Sequence, residues 1–140
     1  MTTAAITIAA GLALAVLTGW LLTRGSGVLR ETGSRSARVP DVDTGDLGLA
    51  DIGPTVVHFS APWCGPCVRL RRVVDQVCAD LGEVAHVEID IDTNPAVARR
   101  FSVLSLPTTV IFDAHGRQRY RATGVPTVTD LRSALEPLLA

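Results

Sequence analysis

From residue 55 onward the apolar positions change period in step. Thr55 to Ser60, TVVHFS, is a short, nearly continuous apolar run after Gly53-Pro54 and predicts a buried strand. Val68 to Leu81 then carries Leu70, Val73, Val74, Val77, Cys78 and Leu81 at helical spacing, with Arg69, Arg71, Arg72, Asp75 and Asp80 mostly elsewhere. Gly82 ends that helix. Ala85 to Ile91 alternates like a strand, and Thr93-Asn94-Pro95 opens a helix running to about Phe101. Thr108 to Phe112 is a further strand. Asp113-Ala114-His115-Gly116 is a hairpin turn, and Gln118 to Ala122 returns antiparallel. From Thr127 a last amphipathic helix runs through TVTDLRSALEPLL. The order strand, helix, strand, helix, strand, strand, helix predicts an α/β domain. Its central sheet is mixed and flanked by helices on both faces.

The N-terminal part has no such alternation. Ala4 to Leu22 is nineteen residues without a charge, with Trp20 near one end. As a helix it is roughly 28 Å long, the thickness of a bilayer core, so it predicts an N-terminal transmembrane helix that meets lipid through residues 4–22. No basic n-region precedes it and no Ala-x-Ala site follows, which argues against a cleaved signal peptide. Arg24, Arg30, Arg35 and Arg38 follow the run against Glu31 alone. That bias predicts a single-pass protein of the cell membrane with its folded domain in the cytoplasm. Residues 24–46, rich in Gly, Ser, Arg and Asp, read as a flexible tether with a candidate first strand near 39–42. The expected organisation is an anchor over 1–23, a tether over 24–46 and a folded domain over 47–140.

Composition narrows the chemistry. A formal net charge of -1 gives no electrostatic footprint for nucleic acid. All thirteen basic residues are arginine, which reads as coding bias. Three cysteines are too few for a disulfide framework, yet two of them stand together in Pro62-Trp63-Cys64-Gly65-Pro66-Cys67. Cys-x-x-Cys serves zinc sites, structural staples and redox couples. A structural zinc site needs four ligands, usually from a second pair, and the sequence has none; no metal is expected.

Taken in order, these residues resemble the thioredoxin family. Trp63-Cys64-Gly65-Pro66-Cys67 lies between a buried strand and a long helix. Asp92-Thr93-Asn94-Pro95 opens the next helix, Leu106-Pro107-Thr108 precedes the hairpin, and Gly124 follows the last strand. The resemblance covers about one hundred residues and, with the apolar segment, looks like a membrane-anchored thioredoxin. It implies a thioredoxin fold and a protein-disulfide reductase that needs no cofactor beyond a redox-active Cys64–Cys67 pair. Its implied partners are disulfide-bearing proteins and an upstream electron donor such as a thioredoxin reductase. An exported relative acting on secreted proteins or cytochrome apoproteins is the alternative, and topology separates the two. Cys64, at a helix N-terminus, is the implied nucleophile and Cys67 the resolving thiol. Gly65 and Pro66 separate them, Trp63 offers an apolar contact surface, and Pro107 is implied to be cis. Leu106 then pairs by its backbone with an extended substrate, and Gly124 belongs to the same substrate-binding set.

One departure from the family pattern stands out. Where thioredoxins carry a buried aspartate and an accompanying lysine, alignment places His58 and Glu88. The sequence-level expectation is a neighbouring pair in which His58 accepts the proton of Cys67 and Glu88 orients the ring and raises its basicity. Cys78 reads as a core thiol, His86 and His115 as surface residues, and the arginines after the motif as a solvated helix face.

Overall fold

The computed structural model describes residues 2–23, 27–32 and 45–140, with side chains in the first helix only over 10–21. That helix, α1, is Thr2–Thr23 and covers the long apolar stretch. Among the described residues no helix is long and apolar enough to cross a membrane, so the expected span stays a proposal, taken up below.

The folded part contains β1 (Arg30–Glu31), β2 (Thr55–Ser60), α2 (Gly65–Leu81), β3 (Ala85–Asp90), α3 (Pro95–Arg100), β4 (Thr108–Phe112), β5 (Gln118–Thr123) and α4 (Val128–Leu135). The sheet order is β1-β5-β4-β2-β3, and only β2 and β3 are parallel. All six residues of β2 are buried, because a strand between two neighbours with helices above and below has no solvent face. On one face Val56 and Ile111 pack with Leu70, Val74 and Val77 of α2 and Leu131, Ala134 and Leu135 of α4. On the other, Val57, Phe59, Val110 and Phe112 pack with Leu47 and Phe101. Phe101 meets Phe59 and Phe112 at ring-centroid distances of 5.7 and 6.1 Å, the second edge-on.

Helix ends follow local chemistry. Gly82 closes α2 in the left-handed region, φ 73°, its N–H on the Cys78 carbonyl. Thr127 caps α4 by accepting from the Asp130 N–H at 3.1 Å. The α-helix stops at Leu135, earlier than the sequence pattern implies, and continues as a 3-10 turn over Glu136–Leu138. Pro137 has no N–H to extend the α-ladder.

The first strand differs from expectation. The candidate at 39–42 lies outside the described residues. The strand observed is β1, inside the stretch read as tether, with Arg30 opposite Arg121 and Glu31 opposite Tyr120. Gly27 starts it: its N–H donates to the Thr123 carbonyl at 2.6 Å and its φ is 96°. A Cβ there would sit 2.3 Å from the Val125 carbonyl oxygen. Gly27→Ala is therefore expected to release the edge strand at a cost of about 1–3 kcal/mol, combining steric clash with a disallowed φ. Hydrogen exchange reads this at Thr32, whose N–H donates to the Arg119 carbonyl at 2.8 Å; an amide as protected as in the parent chain would refute it.

Candidate active site

The cysteine pair forms where β2 hands over to α2. Cys64 is the N-cap of α2, in extended conformation, and Pro66 occupies its first turn, where a missing N–H costs nothing. The Cys64 N–H donates to the Ala61 carbonyl at 3.0 Å, and the Cys67 N–H to the Cys64 carbonyl at 3.1 Å. This turn brings the Cα atoms to 5.4 Å, and the two sulfurs are bonded as a disulfide. Cys67 is 2% exposed and Cys64 6%, with Ala61, Ile91 and Leu106 around them.

A groove opens over Cys64, lined by Trp63, Gly65, Pro66 and Ile91 on one side and Val103, Leu104, Ser105 and Leu106 on the other. Trp63 is 70% exposed, and its indole N–H donates to Asp92 Oδ2 at 3.1 Å, which holds the ring over the motif. The Leu106-Pro107 peptide is cis. The Pro107 carbonyl accepts from the Gly124 N–H at 2.8 Å, and the Ser105 carbonyl from Thr108 Oγ1 at 2.7 Å. The structure thus brings Trp63, Cys64, Gly65, Pro66 and Leu106 to one groove, with Gly124 bracing the Pro107 turn behind it. Sequence reasoning missed Ile91, Val103, Leu104 and Ser105. Leu104 is 95% exposed, and its position between Phe101 and Pro107 in an apolar stretch was the available signal.

His58 and Glu88 are partners across β2 and β3, as expected, but the cluster around them is larger. Glu88 accepts from Arg71 Nε and Nη2 and from Ser60 Oγ, the last at 2.7 Å. The Arg71 guanidinium holds its carboxyl down at about 2. Arg71 is thus a clamp between α2 and β3, not part of a purely solvated face. His86 is likewise no simple surface residue: its Nδ1 lies 2.9 Å from Asp75 Oδ1 and its Nε2 2.7 Å from His58 Nδ1. A carboxylate only accepts, so His86 Nδ1 is the donor to Asp75. His58 Nε2 is buried without a hydrogen-bond partner, 3.4 Å from Glu88 Oε1.

Glu88 does raise the basicity of His58, as expected, but not enough to set where the ring titrates. Burial dominates and pushes the imidazole down to about 4; Glu88 opposes it only in part, while His86 and Arg71 push the same way. Neither ring nitrogen makes a hydrogen bond to a cysteine sulfur. Cys78 packs against the α2–α4 core as expected, its thiol raised to about 11 by burial. Among the described residues no group of three or more His, Cys, Asp or Glu side chains is arranged to hold a metal ion.

Comparison with known proteins agrees with the geometry. The sequence model of the family described as Thioredoxin matches residues 47–137. A thioredoxin of Mycolicibacterium smegmatis is 44% identical over 67 residues, 46% of this chain and 60% of that protein. Thioredoxin 1 of a Nostoc species is 35% identical over 104 residues, 74% of this chain and 96% of its own length. Among solved structures, a mutant thioredoxin of Halobacterium salinarum superposes with a TM-score of 0.60 at 33% identity, covering 68% of this chain and 81% of that one. With a Cys-Gly-Pro-Cys pair joined at the head of α2 beneath a cis-proline turn, the chain belongs to the thioredoxin family and is a thiol–disulfide oxidoreductase.

Proposed function

We propose that the chain works in the reducing direction, on protein disulfides, from a position tethered at a membrane. The observation that carries the chemistry is the Cys64–Cys67 disulfide at the helix N-cap, open to a groove through Cys64. In the reduced protein Cys64 is the attacking thiolate, favoured by its place at the positive N-terminal end of α2. It attacks one sulfur of a substrate disulfide, forming a mixed disulfide and releasing the other sulfur as a thiolate. Cys67 loses its proton and attacks the Cys64 sulfur, releasing the second substrate thiolate and leaving Cys64–Cys67 oxidised. Two electrons and two protons pass to the substrate, and no cofactor takes part. A reducing partner such as a thioredoxin reductase restores the dithiol.

Gly65-Pro66 between the cysteines supports the reducing direction, since it resembles reducing members of the family. Trp63, Leu106 and Pro107 frame the seat for an extended substrate segment. Attachment to lipid rests on the uncharged run Ala4 to Leu22 and on α1, which covers it; the arginines that follow favour a cytoplasmic domain.

The full-length chain is expected to stay with the membrane fraction after alkaline carbonate extraction and to reduce an accessible protein disulfide when supplied with dithiol. A C-terminal alkaline-phosphatase fusion is expected to be inactive and a fluorescent-protein fusion bright. Release by carbonate refutes the anchor; an active phosphatase fusion moves the domain to the exported side.

A further inference from the structure

We propose that Arg121 is a positioning residue for the substrate groove: reaching from β5 to the end of α3, its guanidinium fixes the segment that forms the groove wall opposite Trp63. The inference rests on the groove being the substrate seat and adds what holds that seat in shape.

A six-residue helix such as α3 leaves its last carbonyls without intrahelical partners. Arg121 supplies donors from across the sheet edge. Its Nη1 donates to the Phe101 carbonyl at 2.8 Å and its Nη2 to the Ser102 carbonyl at 3.0 Å. The two carbonyls are consecutive, and a planar fork spans them where a single ammonium reaches one. The cation also lies at the negative end of the helix, where charge and dipole agree.

The turn it holds is costly on its own. Ser102 has φ 49°, the one positive φ outside glycine among the described residues. A residue with a Cβ disfavours this conformation, so surrounding contacts must fix it. The Ser102 N–H donates to the Arg99 carbonyl and the Val103 N–H to the Ala98 carbonyl, both at 2.9 Å. Arg121 closes the turn from outside. At the other end Thr108 Oγ1 holds the Ser105 carbonyl. Between these two anchors lie Val103 and Leu104, both in the groove wall, and the nearly fully exposed Leu104 has little of its own to hold it. Where the wall stands is therefore set by its anchors, of which Arg121 alone comes from β5.

Loss of the anchor is expected to weaken docking of a protein without touching thiol chemistry. In the full-length protein, Arg121→Gln should raise KM for insulin roughly fivefold, about 1 kcal/mol of binding. The rate with a small aromatic disulfide, which needs only Cys64, should stay within about twofold. Arg121→Lys, which keeps the charge and one of the two bonds, should fall between parent and Gln. Hydrogen exchange at the Val103 to Leu106 amides should quicken in the same order. Unchanged insulin KM, or equal losses on both substrates, overturns the proposal. Leu104→Asp tests the seat separately. If it raises insulin KM while Arg121→Gln does not, Arg121 has no positioning role. If it has no effect, the groove reading falls, and exchange decides Arg121: unchanged protection overturns it.

Discussion

Cys64→Ser is expected to abolish disulfide reduction, with a loss above roughly a thousandfold, because a serine hydroxyl is neither ionised near neutral pH nor able to form a mixed disulfide. Cys67→Ser is expected to behave differently. Cys64 still attacks, but the buried partner that would displace it is gone, so mixed disulfides accumulate and run as covalent adducts on a non-reducing gel. Cys67 lies 2% exposed at a Cα distance of 5.4 Å from Cys64, placed for attack within the protein and poorly placed for attack on anything outside. Cys78→Ala should change turnover by less than about twofold, since that thiol sits in the α2–α4 core and burial keeps it protonated. Full activity of Cys67→Ser with no trapped adduct would refute the two-cysteine mechanism.

Acid is expected to destabilise the fold through His58 before any carboxylate contributes. Burial holds its imidazole at about 4 against an ordinary 6.5, so between those values the unfolded chain binds a proton that the folded chain does not. Stability conferred by the neutral ring is full above pH 6.5 and falls as pH drops towards 4, by about 3 kcal/mol in all. Glu88 and Asp113 have lowered values and add stability that is present above their ordinary 4.5 and 3.8 and lost as pH falls below them. The window from about 6.5 to 4.5 thus reports on His58. Urea midpoints measured across it should drop steadily in the parent chain. In His58→Gln, which has no titrating ring, the slope over that window should largely disappear. An equal slope in both chains would show that His58 is not the buried neutral group described.

The cysteine motif, the strand before it and the helix after it were legible in the sequence because each depends on local information. Spacing sets the buried face of α2, proline and glycine mark its ends, and unbroken burial identifies β2. The pairing of His58 with Glu88 was legible too, once two separate motifs fixed the offset between β2 and β3. What could not be read were contacts made by long side chains between elements. Arg71 and Asp75 lie one turn apart on a helix face that pattern alone assigns to water, and His86 alternates with apolar neighbours like any edge-strand residue. Whether they reach down to β2 depends on how closely α2 lies over the sheet. Burial against hydrogen bonding at His58 is a difference of opposing effects, and sequence gives only their signs. Arg121 is similar: no rule of spacing links a β5 arginine to the carbonyls of Phe101 and Ser102. The strand β1 escaped because two residues carry no period, and its existence rests on pairing with a strand ninety positions away.

Docking of Gly27 on Thr123 changes how far the catalytic domain can travel. Had residues 24–46 been a free leash, the domain could sweep a radius of roughly 80 Å around the end of α1. With Gly27 fixed to β5, Thr23 is only four residues away, and the extended chain reaches about 14 Å. The volume available for search shrinks on the order of a hundredfold, and the local concentration of anything held beside that helix rises to match. The Gly124 N–H, one residue beyond Thr123, holds the Pro107 carbonyl, so the leash is fastened close to the groove rather than at the far side of the domain. Under the proposed attachment of α1 to a membrane, a substrate disulfide close to Thr23 is favoured by proximity alone, and one far from it is out of range.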